Sequence, residues 1–220
     1  MQGRRAGKPA EDPLAYIPRL LTYLRTLWMH YMYPFRSFGK GASIHYSCEI
    51  RRSVAADIAI GKRVYVAPEV WLSVVSEDSN PAHPKIDLGD GCKIGRRSVI
   101  AARNRILLEN DVLLAPNVLI QDHNHEYSDP DLPIHAQGPT TGGFITIEKN
   151  SWIGYGAVIV CGEGQLVVGR NSIVGAHTVL TRSIPAYSVV AGSPARVLRR
   201  FDAEKRQWVR VTRSESVLSD

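Results

Sequence analysis

From Ile44 onward, aliphatic residues recur along the chain at every sixth position. Because a β-strand turns alternate side chains to opposite faces, one inward position in six requires a short strand and a turn in each unit. Three such units close a triangular coil, and the aliphatic positions of successive coils stack as one core. The pattern therefore predicts an all-β fold, a parallel β-helix. Its unbroken stretches place aliphatic residues at Ile60, Val66, Leu72; Leu88, Ile94, Ile100; Leu108, Leu114, Ile120; Ile147, Ile153, Ile159; and Val168, Val174, Leu180.

A doubly wound α/β fold is the competing interpretation of alternating aliphatic runs. That fold needs helices of about ten residues or more between its strands. The stretch from Ile44 to Ile184 leaves no room for such helices. Both ends of the coil expose strand edges that need caps, and we expect the N-terminal helix and the tail from Arg199 to supply them.

Four interruptions break the repeat, and the longest carries most of the candidate chemistry. They are Val74–Pro84, a spacing of eight between Ile100 and Leu108, the excursion Gln121–Phe144, and three extra residues within Cys161–Val167. Loops on a rigid scaffold are where binding and catalytic groups concentrate. The excursion loop, residues 121–144, holds His123, His125, His135, Asp122, Glu126, Asp129 and Asp131.

The string Asp122-His-Asn-His-Glu126 within this loop has three interpretations. Two histidines two residues apart, with carboxylates nearby, can chelate a metal, although a third strong ligand at a definite spacing is missing. A histidine can also act as a general base near neutral pH. The third interpretation is a polar loop without chemistry. The residues alone leave these alternatives open.

The segment Leu14–Phe35 is apolar enough to suggest a membrane span, but Arg19, Arg25 and His30 interrupt it. An amphipathic helix after Pro18 is the better prediction. We expect its apolar face to pack on the protein's own body or on a neighbouring subunit. The alternative is binding at a membrane interface, which the mixture of Trp, Tyr and Arg favours. The predicted face consists of Leu20, Leu21, Leu24, Leu27 and Trp28.

The composition is that of a folded protein able to bury a core, with 44% hydrophobic and 22% charged residues in 220. A net charge of +6 suits an anionic small molecule, an acidic membrane surface or nucleic acid, and does not choose among them. The three cysteines, Cys48, Cys92 and Cys161, have no CxxC spacing. We expect reduced thiols in a cytoplasmic protein, with neither disulfides nor a zinc cluster.

The sequence resembles the hexapeptide-repeat acyltransferases, and the motifs that carry the resemblance are IEKNSWIGYGAVI from Ile147 and AGSPARV from Ala191. It is similar to the galactoside, maltose and nodulation O-acetyltransferases, and more so to those of capsule, colanic-acid and lipopolysaccharide synthesis. The resemblance spans roughly Ser43 to Phe201. It implies a left-handed coil, a homotrimer with active sites between subunits, acetyl-CoA as donor and a sugar hydroxyl as acceptor.

The resemblance also divides the chain and assigns a general base. Residues 1–42 are the N-terminal amphipathic helical segment, 43–198 the β-helix acyltransferase domain, and 199–220 the C-terminal tail or cap. Related loops carry the base five residues after the last regular aliphatic position, which here is His125, counted from Ile120. His123 is the second choice. Asp122 or Glu126 is expected to orient the imidazole, as the carboxylate of a catalytic triad does.

Further site residues follow from the family motifs. Trp152 is expected beside the reacting centre, or simply as an apolar element of the coil. Gly154, Gly156, Gly175 and Ala176 are expected along the pantetheine arm, although the turns of the repeat would by themselves require small residues. Tyr155 departs from the small polar residue of the galactoside enzymes, which puts a hydroxyl contact with the thioester in doubt. Thr181, Arg182 and Arg196 are expected at the nucleotide end of CoA, because Arg suits phosphate.

Two function classes remain at this stage. The first is an acetyl-CoA-dependent O-acetyltransferase that acts on a sugar of a bacterial surface polysaccharide, or an N-acetyltransferase of an amino sugar. The second is a non-catalytic or metal-carrying β-helix similar to the gamma-class carbonic anhydrases, which use three well-spaced histidine ligands. The crowded histidines and the acetyltransferase-like tail favour the first class. We therefore expect no metal and no nucleic-acid partner, and a protein that is cytoplasmic or peripheral to the inner membrane face.

Overall fold

The computed structural model describes residues 14, 16–75 and 82–212. After one helix, α1 (Tyr16–Met32), the chain winds through short strands that form three parallel sheets. Sheet 1 contains β1 (Ser37–Phe38), β4 (Ile58–Ile60), β7 (Ile86–Leu88), β10 (Arg105–Leu108), β13 (Phe144–Ile147) and β16 (Gln165–Val168). Sheet 3 contains β3 (Glu49–Ile50), β6 (Trp71–Val74), β9 (Val99–Ala102), β12 (Leu119–Gln121), β15 (Val158–Val160) and β18 (Val179–Leu180).

Sheet 2 lies between them in each coil and continues into the C-terminal cap. It contains β2 (Ser43–Ile44), β5 (Tyr65–Val66), β8 (Lys93–Ile94), β11 (Leu113–Leu114), β14 (Trp152–Ile153), β17 (Ile173–Val174), β19 (Ser188–Ala191), β20 (Arg196–Asp202) and β21 (Gln207–Arg210). The pairs β19–β20 and β20–β21 are antiparallel, whereas the preceding pairs are parallel. The antiparallel hairpin thus closes the C-terminal end of the coil.

The aliphatic ladder predicted from the sequence forms the core. Ile60, Val66 and Leu72 point inward from the three sheets of one coil, and each is almost fully buried. The equivalent residues of the later coils are buried in the same way, and parallel registers such as Leu72↔Ile100 place them one above another. The predicted all-β parallel helix is confirmed.

Two of the three corners are tight turns with a residue in the left-handed backbone region. Asn and Gly tolerate this region best, since other side chains are strained there. At the corner between sheets 1 and 2 (corner 1–2) these residues are Gly41, Arg63, Gly91, Asp111, Asn150, Asn171 and Tyr187. At the corner between sheets 2 and 3 (corner 2–3) they are Glu69, Arg97, Asn117, Gly156 and His177.

The third corner, between sheet 3 and the next strand of sheet 1 (corner 3–1), receives every long insertion of the coil. The excursion leaves β12 after Gln121 and returns at Phe144, and it includes a short helix, α2 (Ile134–Gln137). A 3₁₀ helix, Arg52–Asp57, is a further insertion that the sequence analysis missed. The predicted loop Val74–Pro84 also leaves this corner, with its residues 76–81 outside the described ones. The irregular segments of the coil therefore lie along one edge of the triangular coil.

The helix α1 caps the N-terminal end, but not with the predicted face. Met29 is fully buried in the core, and the Thr26 hydroxyl exchanges hydrogen bonds of 3.0 Å with the backbone N–H and C=O of Ile44. The first strands of a sheet need polar partners for their backbone, and a threonine supplies them where a leucine cannot. Packing of the leucine face on the chain's own body, one of the two predicted placements, is wrong, and its packing on a neighbouring subunit stays a prediction. Leu20, Leu21, Leu24, Leu27 and Trp28 are 41–58% exposed in the chain.

No helix within the described residues is both long and apolar enough to cross a bilayer.

Candidate active site

The excursion loop is pinned to the coil at its two ends. The backbone N–H of Gly143 donates to the Asp122 carbonyl at 2.6 Å, and the Asn104 side chain donates to the Thr141 carbonyl at 2.9 Å. Further along, Thr140 donates from its backbone to the Asn124 carbonyl at 2.8 Å. The first and last residues of the excursion are therefore held together as a two-stranded stem, and the loop projects from a fixed base.

Asp122 anchors this base, and its side chain is completely buried. Its carboxylate accepts hydrogen bonds from the backbone N–H groups of Arg103 at 2.7 Å and of Asn104 and Arg105, both at 2.9 Å. These three residues form the bulge that the eight-residue spacing predicted. Since a carboxylate supplies enough acceptor positions for all three donors, one side chain stabilises two insertions at corner 3–1.

His123 belongs to the same buried cluster. Its Nδ1 lies 3.0 Å from Oδ1 of Asp122, and only 7% of the residue is exposed. The expectation that Asp122 orients the imidazole of His125 is therefore not met, because the carboxylate contacts His123. A histidine buried to this degree against a carboxylate supports the loop but has little surface with which to meet a substrate.

His125 lies outside this cluster and is exposed. It forms an isolated antiparallel bridge with Pro139 across the stem, and the next residue, Glu126, donates its backbone N–H to the Gly138 carbonyl at 2.9 Å. The backbone on both sides of His125 is thus held, while its ring is accessible. Glu126 remains the carboxylate nearest in sequence that is available to orient it.

The predicted pantetheine residues lie at corner 2–3, and the stacking of coils explains why they are small. A Cβ added to Gly154 would lie 2.7 Å from the backbone nitrogen of Ala176 in the next coil. The N–H groups of Gly154, Gly156 and Gly175 already donate to carbonyls of neighbouring coils, at 2.7, 3.1 and 2.8 Å. These three N–H groups are therefore not available to bind the pantetheine arm. The exposed Ala176 leaves this part of the corner open.

Tyr155 supplies a polar group at the same corner. Its hydroxyl accepts a hydrogen bond of 2.6 Å from the Asn117 amide, and its ring packs edge-on against His177 at 5.3 Å between centroids. A phenol, an amide and an imidazole thus form an outward row beside the small residues. This row could not be predicted from the residue order, since its members are 22 and 38 residues apart in the chain.

The residues predicted at the nucleotide end of CoA are divided between two places. Thr181 and Arg182 follow β18 and lie exposed at corner 3–1, the corner of the excursion loop. Arg196 begins β20 in the C-terminal cap and is also exposed. The cations therefore flank the coil's C-terminal end without forming one cluster with Gly154 and its neighbours.

Trp152 lies on the outer face of sheet 2 and is 47% exposed. It lines a cavity of about 370 Å³ against the C-terminal hairpin, together with Tyr187, Phe201 and Trp208. The single chain therefore distributes the predicted site over three positions. His125 lies at corner 3–1, the small residues lie at corner 2–3, and Trp152 lies on sheet 2.

Thiolate chemistry has no support in this chain. All three cysteines are unpaired and buried, and burial raises the pKa of Cys48 and of Cys92 to about 11 and also raises the pKa of Cys161. Such thiols stay protonated near neutral pH. Within residues 14, 16–75 and 82–212, no three His, Cys, Asp or Glu side chains are grouped closely enough to hold a metal ion.

Comparison with known proteins supports the acetyltransferase resemblance. No protein-family model matches the chain. A Mycobacterium tuberculosis protein named as a probable acetyltransferase, Rv3034c, is 30% identical over 73% of this chain, but the match covers only 48% of that protein. The galactoside O-acetyltransferase of Escherichia coli is 29% identical over 96% of this chain and 95% of its own length.

Solved structures agree in fold. AntD, an N-acyltransferase from Bacillus cereus solved with dTDP and 3-hydroxybutyryl-CoA, superposes with a TM-score of 0.63 at 19% identity, over 78% of this chain and 86% of its own. The hexapeptide-repeat acetyltransferase VCA0836 from Vibrio cholerae gives 0.52 at 21% identity, over 88% and 95%. The chain has the fold of the hexapeptide-repeat acetyltransferases. The left-handed β-helix that the resemblance implied is thereby confirmed, and so is the resemblance itself.

Proposed function

We propose that the protein is an acetyl-CoA-dependent O-acetyltransferase that acts on a sugar hydroxyl. The observation that carries the proposal is an exposed histidine, His125, held on an anchored excursion from a hexapeptide-repeat coil. The imidazole of His125 takes the proton of the acceptor hydroxyl, whose oxygen attacks the thioester carbonyl. As the carbon–sulfur bond breaks, the departing CoA sulfur receives that proton from the imidazolium. The products are an acetyl ester and free CoA.

We propose further that the active site lies between subunits of a homotrimer. In that arrangement the excursion loop of one subunit faces corner 2–3 of the next, which unites groups that one chain keeps apart. The outer face of sheet 3 supports such an interface. Contiguous apolar faces on a protein surface commonly mark subunit contacts. An in-register row of outward apolar residues runs along this face, consisting of Trp71, Val99, Leu119, Val158 and Val179.

Acetyl-CoA turnover tests the function. Purified protein is incubated with acetyl-CoA and a panel of sugars and bacterial surface oligosaccharides, and the release of free thiol is followed. We expect thiol release that depends on a sugar hydroxyl, without added metal. If the protein instead contained stoichiometric zinc and released no thiol with any acceptor, a metal-carrying β-helix would be the better assignment.

The acceptor is proposed to be a glycan of bacterial surface polysaccharide. One relative that matches along nearly the whole chain is named a galactoside O-acetyltransferase, which favours a hydroxyl as the acceptor group. Acetylation of an amino sugar on nitrogen uses the same base and is distinguished by the product. An ester is cleaved by mild base, whereas an amide survives it.

The N-terminal helix is proposed to bring the enzyme to an acidic membrane surface, on its cytoplasmic side. Helix α1 exposes a row of large apolar side chains that includes Leu20, Leu24 and Trp28. It contains Arg19 and Arg25 and no acidic residue. A helix with this combination of leucines, tyrosines, tryptophan and arginines lies in the headgroup region, where its apolar face is buried and its cations meet anionic lipid.

Replacing Leu20, Leu24 and Trp28 together with serine is expected to weaken binding to phosphatidylglycerol vesicles by at least about tenfold, since each side chain contributes transfer free energy at the interface. Co-sedimentation with vesicles measures the effect, and Leu132→Ser with Ile134→Ser, two exposed apolar residues on the excursion loop, is the matched control. The triple variant should keep the oligomeric state of the wild type. Loss of the oligomer with unchanged vesicle binding would show that this face is a subunit interface.

A further inference from the structure

A groove of about 470 Å³ lies between α1 and the first two coils, away from the excursion loop. Helix α1 contributes Arg19, Thr22 and Tyr23 to its walls, and the coils contribute His45 and Tyr65. Its volume is in the range of small-molecule sites, and a mostly apolar wall with a few convergent polar groups is the usual composition of such sites. No residue of this groove has a part in the transfer step described above.

The polar groups of the groove are suited to sugar hydroxyls. Burial lowers the pKa of His45, against an opposing effect of Glu69, so the neutral ring is favoured. Nδ1 of His45 accepts from the backbone N–H of Ser47 at 3.2 Å and lies 2.8 Å from the Ser47 hydroxyl, so Nε2 is the ring nitrogen that can meet a ligand.

Thr22 adds an unsatisfied hydroxyl to the wall of the groove. The residue is 9% exposed, and its Oγ1 is buried without a hydrogen-bond partner among the described residues. A buried polar atom without a partner destabilises the protein, which makes a bound ligand a natural source of the missing hydrogen bond. The wall also carries two half-exposed phenol rings, Tyr23 and Tyr65, which offer flat apolar faces with a polar edge.

The position of the groove sets the length of its ligand. His45 and Pro68 in its wall belong to corner 2–3 of the first and second coils, and Gly154 belongs to the same corner of the fifth coil. Successive coils are separated by the spacing of neighbouring strands, about 4.8 Å, so three coils correspond to roughly 14 Å. A ligand that reaches from the groove to the predicted thioester position must be longer than one sugar ring.

We propose that this groove is a carbohydrate subsite that holds the distal end of an oligosaccharide acceptor while its reacting hydroxyl lies at corner 2–3. The inference rests on the proposed function for the meaning of that corner. Tyr23 and Tyr65 stack on sugar rings, and His45 and Thr22 bind hydroxyls. Because α1 forms one wall of the groove and also carries the exposed apolar row, the same helix would present the groove to glycans at the membrane surface.

Two substitutions test the subsite without disturbing the transfer site. Tyr65→Ala removes an outward ring and is expected to weaken oligosaccharide binding about tenfold or more. Thr22→Val removes only the hydroxyl, and we expect about three- to tenfold weaker binding, the effect of one hydrogen bond. The thermal stability of the unliganded Thr22→Val protein should equal or exceed that of the wild type, since an unpartnered hydroxyl is lost. Tyr31→Ala, at an exposed tyrosine of α1 outside the groove, is the control.

The measurement is binding of full-length protein to an array of bacterial surface oligosaccharides and of their component monosaccharides, accompanied by KM for both in the transfer assay. We expect binding of oligosaccharides in preference to monosaccharides, and a rise in oligosaccharide KM in both groove variants with kcat for monosaccharides unchanged. The subsite would be overturned, even if acetyl transfer is observed, if the wild type bound no glycan. It would also be overturned if both groove variants bound oligosaccharides as tightly as the wild type. Glycan binding without any acetyl transfer would instead count against the proposed function.

Discussion

Replacing His125 with alanine is expected to lower the kcat of acetyl transfer by about 10²–10⁴-fold, the usual contribution of a general base. The hydroxyl of a sugar is a weak nucleophile until its proton is removed, and His125 is an exposed imidazole at the anchored stem of the loop. The variant should keep the oligomeric state and the affinity for acetyl-CoA, because the residue packs against no core element. Steady-state turnover and equilibrium binding of acetyl-CoA measure the two effects separately.

Two other histidines of the loop serve as controls. His135→Ala changes an exposed residue of α2 and should leave turnover within about twofold of the wild type. His123→Ala removes the imidazole that contacts Asp122, so its main effect should be on stability. If His123→Ala abolished turnover in a folded protein while His125→Ala did not, the buried histidine would be the base and the assignment to His125 would be wrong.

Replacing Asp122 with alanine is expected to lower the free energy of unfolding by about 3–5 kcal/mol, the cost of removing one partner from a buried charged cluster. The backbone N–H groups of Arg103, Asn104 and Arg105 lose their acceptor and are left buried without another. For a chain of this size the expected decrease in Tm is roughly 10 °C. Thermal unfolding at a fixed chain concentration measures it, since assembly also contributes to Tm.

Asp131→Ala is the matched control, because Asp131 lies exposed on the same loop. Its Tm should stay within about 2 °C of the wild type. The Asp122 variant should also lose turnover, since the stem that holds His125 depends on this anchor. A Tm unchanged by Asp122→Ala would mean that the bulge and the excursion are stabilised by other contacts.

The coil was predictable because its signal is periodic. Residues such as Ile60, Val66 and Leu72 repeat one inward position per six, and only a short strand and a turn in each unit satisfy that period. The interruptions from Val74 onward were visible for the same reason, whereas the insertion Arg52–Asp57 was missed. Their common location at corner 3–1 was not predicted, because it requires the sheet of each strand to be known.

The contacts at the interruptions depend on tertiary structure and could not be read from residue order. Asp122 appeared as a partner for His125. Its carboxylate instead accepts hydrogen bonds from the backbone of Arg103–Arg105, which the coil brings near. The helical period of α1 was recognised, but the packed face was not. The backbone of Ile44 in β2 hydrogen-bonds to a hydroxyl, so Thr26 rather than a neighbouring leucine faces the coil.

Mixing two inactive variants tests a site shared between subunits most directly. His125→Ala lacks the base, and Ala176→Trp fills the exposed part of corner 2–3 with a large ring. If each site takes the loop of one subunit and the corner of the next, co-assembly of equal amounts restores about a quarter of the sites, although each variant alone is inactive. We predict turnover at about one quarter of the wild-type rate in the mixed oligomer. No recovery in a verified mixed oligomer would contradict the shared site.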